Sequence, residues 1–391
     1  MRVGLFAALV LAACAHRDML ASNHASAGIA LAIYEHNGSG GAPEGYAIVD
    51  DRREVDIAGN ELVLSDVDPG AELASLEIVP IGGHVAIGTC TRDRLPIDLT
   101  APPSGSAAGR AQVPAIEAAA PVGEVRCAVT AGSGRHLVRL LYTSKAIAYR
   151  AEHWIAVDGD HATVTSHYAI TTPSWHGARA DVALFDGVPG GEPPKLVARG
   201  SITLDGSTSV LVAAPVATAA TVRRVYAGAD VDSPASADST ARDWGANATN
   251  DVWVMLDLPN AQLAPGEAYV HLAQPDELER DVHVPTAHRH IVATAVRFAL
   301  WNDVGMHAAR ERTNDGPTEL ALVDRLMFSI SNEGETTRDV WIEEPLRAVT
   351  LAGIERSWPH KPEIVGDIVR EKVSIAPHML ERVGFTLRYR Q

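Results

Sequence analysis

The chain has 391 residues and a mass of 41.5 kDa, and 46% of its positions are hydrophobic while 21% are charged. These fractions are typical of globular proteins and exclude a disordered, collagen-like or polytopic membrane protein, and the length predicts two or three domains. With 49 acidic against 33 basic residues, the formal net charge is −16, which argues against nucleic-acid binding through the overall field of the protein.

The first thirteen residues are typical of a secretory signal peptide. Arg2 precedes an apolar run over residues 3–10, which is too short to span a bilayer. The run ends in Leu11-Ala12-Ala13-Cys14, which resembles the lipobox of bacterial lipoproteins. This resemblance implies cleavage before Cys14, acylation of Cys14 and, because Ala15 follows, transport to the outer membrane. An ordinary secretory signal followed by a chance cysteine is the alternative.

Short apolar runs and runs with a period of two dominate the rest of the chain, whereas runs with a helical period are scarce. A period of two places alternate side chains on opposite faces of a strand. Gly and Pro clusters separate these runs, as in antiparallel sandwiches. The strand candidates upstream of the C-terminal region are 29–34, 76–81, 85–89, 137–142, 162–171, 209–213, 252–258 and 291–300.

Beyond Cys14 the chain contains only Cys90 and Cys127. In an oxidising periplasm we expect these two cysteines to form a disulfide, and two buried free thiols are the alternative. The Pro-rich residues 95–121 between them predict a loop insert. Residues 229–250 have little apolar content and predict a second, mobile loop.

Two polar stretches could hold an ion. Asp158-Gly159-Asp160-His161 is either a hairpin turn or an oxygen-rich ion site, and the flanking strand candidates favour the turn. His283, His288 and His290 form the best histidine cluster, because residues two apart on a strand point the same way and could share a metal. The alternative is a solvated loop that leads into the strand at 291–300.

The C-terminal region contains the clearest strand patterns. The apolar residues 326–330 run into a turn signal at Asn332-Glu333-Gly334, and the chain returns through Val340 and Ile342, which predicts a hairpin. In the last strand, apolar residues that we expect to be buried alternate with residues that we expect to be exposed. The buried set is Val383, Phe385, Leu387 and Tyr389, and the exposed set is Arg382, Thr386, Arg388 and Arg390.

The seven tryptophans fall into two groups. Trp154, Trp253 and Trp341 lie inside strand candidates, where packing in the core or at a sheet edge is expected. The others lie near turns, where an exposed ring could contact a glycan or peptide; these are Trp175, Trp244, Trp301 and Trp358.

The common catalytic signatures are absent from the sequence. There is no Gly-x-Ser-x-Gly elbow, phosphate-binding loop, His-Glu-x-x-His or paired Cys-x-x-Cys motif. We therefore expect a protein without catalytic residues or a cofactor, although a site assembled from distant loops would not show itself in such motifs.

Residues 146–154 (AIAYRAEHW) resemble a segment of the domain-of-unknown-function family numbered forty-one thirty-nine, also called mucoidy-inhibitor-like. Residues 169–179 follow the same family pattern, with Thr172 where Asn is usual. The family looks like secreted β-sandwich proteins without established catalytic residues. The resemblance therefore implies an all-β fold and assigns no site. Its other matches are at residues 62–67, 263–270, 330–336 and 375–390.

These observations predict an all-β protein with two or three antiparallel, immunoglobulin-like β-sandwich domains after a lipoprotein signal peptide. The predicted segments are the signal peptide (1–13), the lipidated Cys14 with a tether (14–27), an N-terminal β domain with the Pro-rich insert (28–135), a middle β domain that ends in the mobile loop (136–250) and a C-terminal β-sandwich (251–391).

The leading functional hypothesis is a non-enzymatic lipoprotein of the bacterial cell envelope that binds or scaffolds another envelope protein or a glycan. We expect it to be attached to the outer membrane through its lipid and to face the periplasm or the cell surface. The alternatives are a metal-binding protein or metal-dependent hydrolase that uses the histidine cluster, and a glycan-binding module.

Overall fold

The computed structural model describes residues 28–34, 46–65, 67–82, 84–92, 124–173, 175–187, 194–206, 208–227, 250–273, 280–292, 294–318, 321–346 and 351–390. Regular structure in these ranges consists of 25 β-strands and two short 3-10 turns, so the predicted all-β class is confirmed. Among the same residues, no helix is long and apolar enough to cross a membrane. Cys14 and the two predicted loops at 95–121 and 229–250 lie outside the described residues, apart from Asn250.

The chain divides into two compact units. The first contains the described parts of Met1–Ala151 and His167–Ala213, and the second those of Glu152–Ser166 and Ala214–Gln391. This division differs from the domain boundaries near residues 135 and 250 that the sequence suggested. The reason is one long hairpin that contributes residues to both units, β8 (Ala148–Asp158) and β9 (His161–Thr171). The amino-acid composition along the chain does not reveal that one hairpin contributes to both units.

The first unit contains a six-stranded and a three-stranded sheet. The larger sheet has the order β11-β10-β1-β2-β7-β4, in which only β1 and β10 are parallel, and the smaller has the order β3-β6-β5. The strands of this unit are β1 (Gly28–Tyr34), β2 (Tyr46–Ile57), β3 (Glu61–Leu64), β4 (Glu77–Pro80), β5 (Ala86–Arg92), β6 (Val125–Ala131), β7 (Gly134–Ser144), β10 (His176–Asp186), β11 (Lys195–Asp205) and β12 (Thr208–Val212), with a 3-10 turn at Leu73–Ser75.

Strand β1 is the centre of the first unit. Five consecutive residues from Ala30 to Tyr34 are buried, so both faces of β1 are covered. Tyr34 stacks on Phe185 of β10 with ring centroids 5.0 Å apart. A continuous apolar run is what a strand buried on both faces requires, and β1 lies where the sequence predicts a strand.

The second unit is built on a ten-stranded sheet, in which nine strands have the order β22-β25-β20-β19-β15-β14-β21-β24-β23 and the tenth, β18, pairs with β19. Strands β8, β16 and β17 are neighbours in another sheet of this unit, where β13 pairs with β9. The bounds are β13 (Val216–Ala219), β14 (Thr221–Tyr226), β15 (Asp251–Pro259), β16 (Gly266–Ala273), β17 (Arg280–Val284), β18 (Arg289–Val292), β19 (Ala295–Thr318), β20 (Ala321–Asn332), β21 (Arg338–Pro345), β22 (Leu351–Trp358), β23 (Glu363–Val365), β24 (Ile368–Ile375) and β25 (Leu380–Arg390), with a 3-10 turn at Thr286–His288.

The second unit contains two large apolar cores. One lies between β8, β9, β16 and the parts of β15 and β19 that contain Leu256 and Phe298. The other lies between β19, β20, β25, β21 and β24 and contains Phe328, Ile342 and Phe385. The alternation predicted for the last strand is present, because Val383, Phe385, Leu387 and Tyr389 are all buried.

The predicted hairpin between residues 326–330 and 340–342 is wrong. Strand β20 pairs with β19 and β25, whereas β21 pairs with β14 and β24. The connection therefore joins two strands that face each other across the core, where Phe328 and Ile342 belong to one cluster. Asn332 stabilises this connection, because its side-chain amide donates to the carbonyls of Thr336 (2.8 Å) and Ile375 (3.0 Å). A hairpin and a connection across the core have the same alternation and the same turn signal, so the sequence could not distinguish them.

The single strand predicted at residues 291–300 is also wrong. Strands β18 and β19 pair with each other there, with Val292 opposite Ala295, so the chain reverses direction within the predicted range. The run Ile291-Val292-Ala293-Thr294-Ala295-Val296 contains no Gly, Pro, Asn or Asp to mark this turn.

Candidate functional site

The predicted disulfide is confirmed. Cys90 on β5 and Cys127 on β6 are opposite each other in the strand register and are joined by an S–S bond of 2.06 Å. The pairing removes both thiols as nucleophiles or metal ligands.

The three histidines predicted to hold a metal are not gathered into one site. His283 lies on β17 beside Glu267, His288 lies in the 3-10 turn with its ring against Trp253, and His290 lies on β18 opposite Arg297. In the described part of the chain, no group of three or more His, Cys, Asp or Glu side chains could hold a metal ion. The three residues fall on separate elements because a 3-10 turn at Thr286–His288 separates β17 from β18. Asp158 to His161 forms a hairpin turn through Gly159 and Asp160, as predicted.

A buried Ser–His pair has the spacing of a nucleophile and its base. His153 Nδ1 lies 2.9 Å from the Ser166 hydroxyl, and Nε2 lies 2.8 Å from the Ala264 carbonyl. Burial lowers the pKa of His153 to about 4, so the ring is neutral at pH 7. Because a carbonyl only accepts, Nε2–H donates to Ala264 and Nδ1 accepts from Ser166. His153 is 0% and Ser166 6% exposed, so a substrate does not reach them and the pair is structural.

An open concavity in the first unit has a volume of about 950 Å³. Several of its charged lining residues are paired: Arg53 Nε lies 2.9 Å from an Asp51 carboxylate oxygen, and Arg53 donates to the Ser65 carbonyl at 2.7 Å. Arg135 likewise pairs with the lining residue Glu54.

The outer face of β8, β16 and β17 carries a row of rings that we call the aromatic face, formed by Trp154, Tyr269 and His283. Trp154 stacks on Tyr269 with centroids 4.6 Å apart and an angle of 17° between the rings. Tyr269 contacts His283 at 4.9 Å, and these two residues are partners in the strand register. Trp154 is 48% exposed, which is unusual for a ring of this size. The row therefore crosses three neighbouring strands at the surface.

The opposite face of the same strands explains why these rings stand outside. Ile155, Val157, Val270 and Val284 are buried in the core. Since side chains alternate along a strand, Trp154 and Tyr269 must then point away from that core. The expectation that Trp154 packs in the core or at a sheet edge is thus wrong, and the alternation Ala151, His153, Ile155, Val157 is the sequence signal that identifies its true face.

Hydrogen-bonding groups flank the aromatic face. Glu267 Oε2 lies 3.2 Å from His283 Nε2, and Asp281 Oδ1 lies 2.8 Å from His271 Nδ1. All four side chains are at least one-third exposed. Carboxylates accept and imidazoles donate or accept, so rings and polar groups are presented side by side.

The other tryptophans occupy different surroundings. Trp358 is 56% exposed and Trp175 is buried. Trp301 lies under the Arg280 guanidinium, which is 4.4 Å from its ring centroid. Trp253 and Trp341 are partly buried, in agreement with the sequence prediction, and Trp244 lies outside the described residues.

No protein-family model matches this chain, and no curated protein shows significant sequence similarity to it. The resemblance to the mucoidy-inhibitor-like family therefore stays a prediction.

Proposed function

We propose that this protein is a non-enzymatic, glycan-binding lipoprotein of the bacterial cell envelope, and that the aromatic face is its binding site. The exposed stack of Trp154 on Tyr269 carries the proposal. The faces of sugar rings present C–H groups that pack against aromatic rings, and an aromatic side chain offers a large contact area with little rotational freedom to lose.

The geometry of the aromatic face supports an extended glycan. Tyr269 covers one side of Trp154 and fixes its orientation, so little side-chain entropy remains to be lost on binding. The three strands span about 10 Å, roughly the length of two sugar rings. Glu267, His271 and Asp281 stand where the hydroxyl and amide groups of such a chain would seek hydrogen bonds.

Replacement of Trp154 by alanine is expected to weaken glycan binding about thirty-fold, the loss typical of an interfacial aromatic anchor. Calorimetric titration of the soluble chain with an N-acetylglucosamine hexamer, cellohexaose and soluble peptidoglycan fragments measures this effect. Leu196→Ala is the control, because Leu196 is an exposed apolar side chain of β11 in the first unit. Absence of binding to every glycan, or equal losses in the two variants, contradicts the proposal. Loss of a co-purifying protein from Trp154→Ala alone would assign the face to a protein partner instead.

The membrane anchor is a separate part of the proposal and rests on Leu11-Ala12-Ala13-Cys14. Several acyl chains at about 0.8 kcal/mol per buried CH₂ give lasting attachment, so the glycan site would work at the outer membrane, toward the periplasm or the cell surface.

Cells grown with labelled palmitate are expected to incorporate it into this protein and to retain the protein in the outer-membrane fraction. Cys14→Ser is expected to abolish both the label and the membrane retention. An unlabelled, soluble wild-type chain would contradict the lipid anchor while leaving the glycan site untouched.

A further inference from the structure

The exposed side of the last strand belongs to a larger basic surface, which we call the arginine face. It is formed by β22, β25 and β20, and its arginines are Arg325, Arg356, Arg382 and Arg388, all exposed. The register places both Arg356 and Arg325 opposite Thr386, one on each neighbouring strand. Arg382 and Arg388 are six residues apart on β25, about 20 Å along the strand.

An apolar row runs between these arginines. Trp358 and Met327 are both opposite Gly384, on the two strands that flank β25. Trp358 is 56% and Met327 41% exposed. A Cβ at position 384 would lie 3.4 Å from the Met327 methyl group, so glycine keeps the space between the two side chains open. The Trp–Gly–Met row thus lies between Arg382 on one side and Arg325 and Arg356 on the other.

The arginine face is positively charged, whereas the whole chain has a formal net charge of −16. Arg388 pairs with Glu355, whereas neither Arg356 nor Arg382 forms an ion pair with any residue that the structure describes. The acidic residue in the apolar row is Glu311 of β19, which is opposite Met327. Positive charge is therefore in excess here and available to a partner.

We propose that the arginine face docks on an anionic lipid bilayer. The face follows three adjacent strands of one sheet, and an open sheet surface suits a planar partner more than a small ligand. Guanidinium groups bind lipid phosphates in bidentate fashion, and each basic residue near an anionic membrane strengthens the attraction several-fold. Trp and exposed apolar side chains such as Trp358 and Met327 are suited to the boundary between headgroups and acyl chains.

Vesicle sedimentation tests this inference on the mature chain with Cys14 replaced by serine, so that no acyl group contributes. Binding is expected to vesicles of phosphatidylglycerol and phosphatidylethanolamine, to weaken with salt, and to be absent with phosphatidylcholine. The double variant Arg356→Glu/Arg382→Glu is expected to bind at least about thirty-fold more weakly, as two lost basic contacts require.

The matched control is Arg179→Glu/Arg199→Glu, which makes the same charge change on exposed arginines of the first unit. Equal losses in the two double variants would show that only net charge matters and would overturn the inference. So would wild-type binding that does not distinguish the two vesicle types. Tight binding of a soluble polyuronate without vesicle binding would assign the face to an acidic glycan. The Trp154→Ala variant is expected to bind vesicles normally, so this test is independent of the proposed glycan site.

Discussion

The variant Arg297→Met is expected to lower the free energy of unfolding by about 3–5 kcal/mol, the usual cost of removing one partner from a buried ion pair. Arg297 is only 4% exposed and bonds two carboxylates. Its Nε lies 2.6 Å from Asp257, and its terminal nitrogens reach Glu343. Burial opposes the charge of Arg297, but the hydrogen bonds that Arg297 donates to the two carboxylates outweigh burial and raise its pKa.

The charges around Arg297 form an alternating row across four neighbouring strands. The order β19-β15-β14-β21 places Arg297, Asp257, Arg223 and Glu343 one after another. Arg223 contacts Asp257 at 2.6 Å and Glu343 at 3.2 Å, so each carboxylate has two cations. Loss of Arg297 leaves Arg223 alone between two buried carboxylates, and the cluster acquires a net negative charge that water cannot solvate.

Urea titration measures the effect, with Arg382→Met as the control because Arg382 is exposed and forms no ion pair among the described residues. The control is expected to change the free energy of unfolding by no more than about 0.5 kcal/mol. The double variant Arg297→Met/Glu343→Gln removes one charge of each sign and is expected to be more stable than Arg297→Met alone. A cost below about 1 kcal/mol for Arg297→Met, or a fully additive cost of Glu343→Gln, would contradict this account.

Alternation along single strands was the part of the fold that could be predicted. The pattern from Arg382 to Arg390 identified the last strand and its buried side, because that information is local. Strand pairing was not local: the turn at Asn332-Glu333-Gly334 joins strands that lie across the core from each other. The charged row of Arg297 and Glu343 was invisible for the same reason, since its members come from strands that are distant in sequence.

For the candidate site, the sequence predicted the type of residue but not its position. The sequence suggested that an exposed aromatic could contact a glycan, but it favoured tryptophans near turns over Trp154. Trp154 lies in a regular strand, and its stacking partner Tyr269 comes from β16, more than one hundred residues later. The strand order β8-β16-β17 creates the site, and no spacing of residues along the chain encodes that order.

Protonation of His153 alone is expected to lower the free energy of unfolding by about 3 kcal/mol as the pH falls from 7 to 4. Burial is the main cause of its lowered pKa of about 4, and nearby Arg289 lowers it further, while the hydrogen bond to Ala264 acts in the opposite direction. In the unfolded chain the imidazole titrates near pH 6.5. Between these two values the unfolded chain binds the additional proton, so stability is complete above about pH 6.5 and is lost as the pH falls toward 4.

His153→Gln isolates this effect, because glutamine retains one donor for Ala264 and one acceptor for Ser166 but does not titrate. The difference in unfolding free energy between wild type and variant is expected to shift by about 3 kcal/mol in favour of the variant from pH 7 to pH 4. All other titrating groups are common to both chains and cancel in this difference. Parallel pH profiles for wild type and His153→Gln would show that the imidazole is not held neutral in the folded protein.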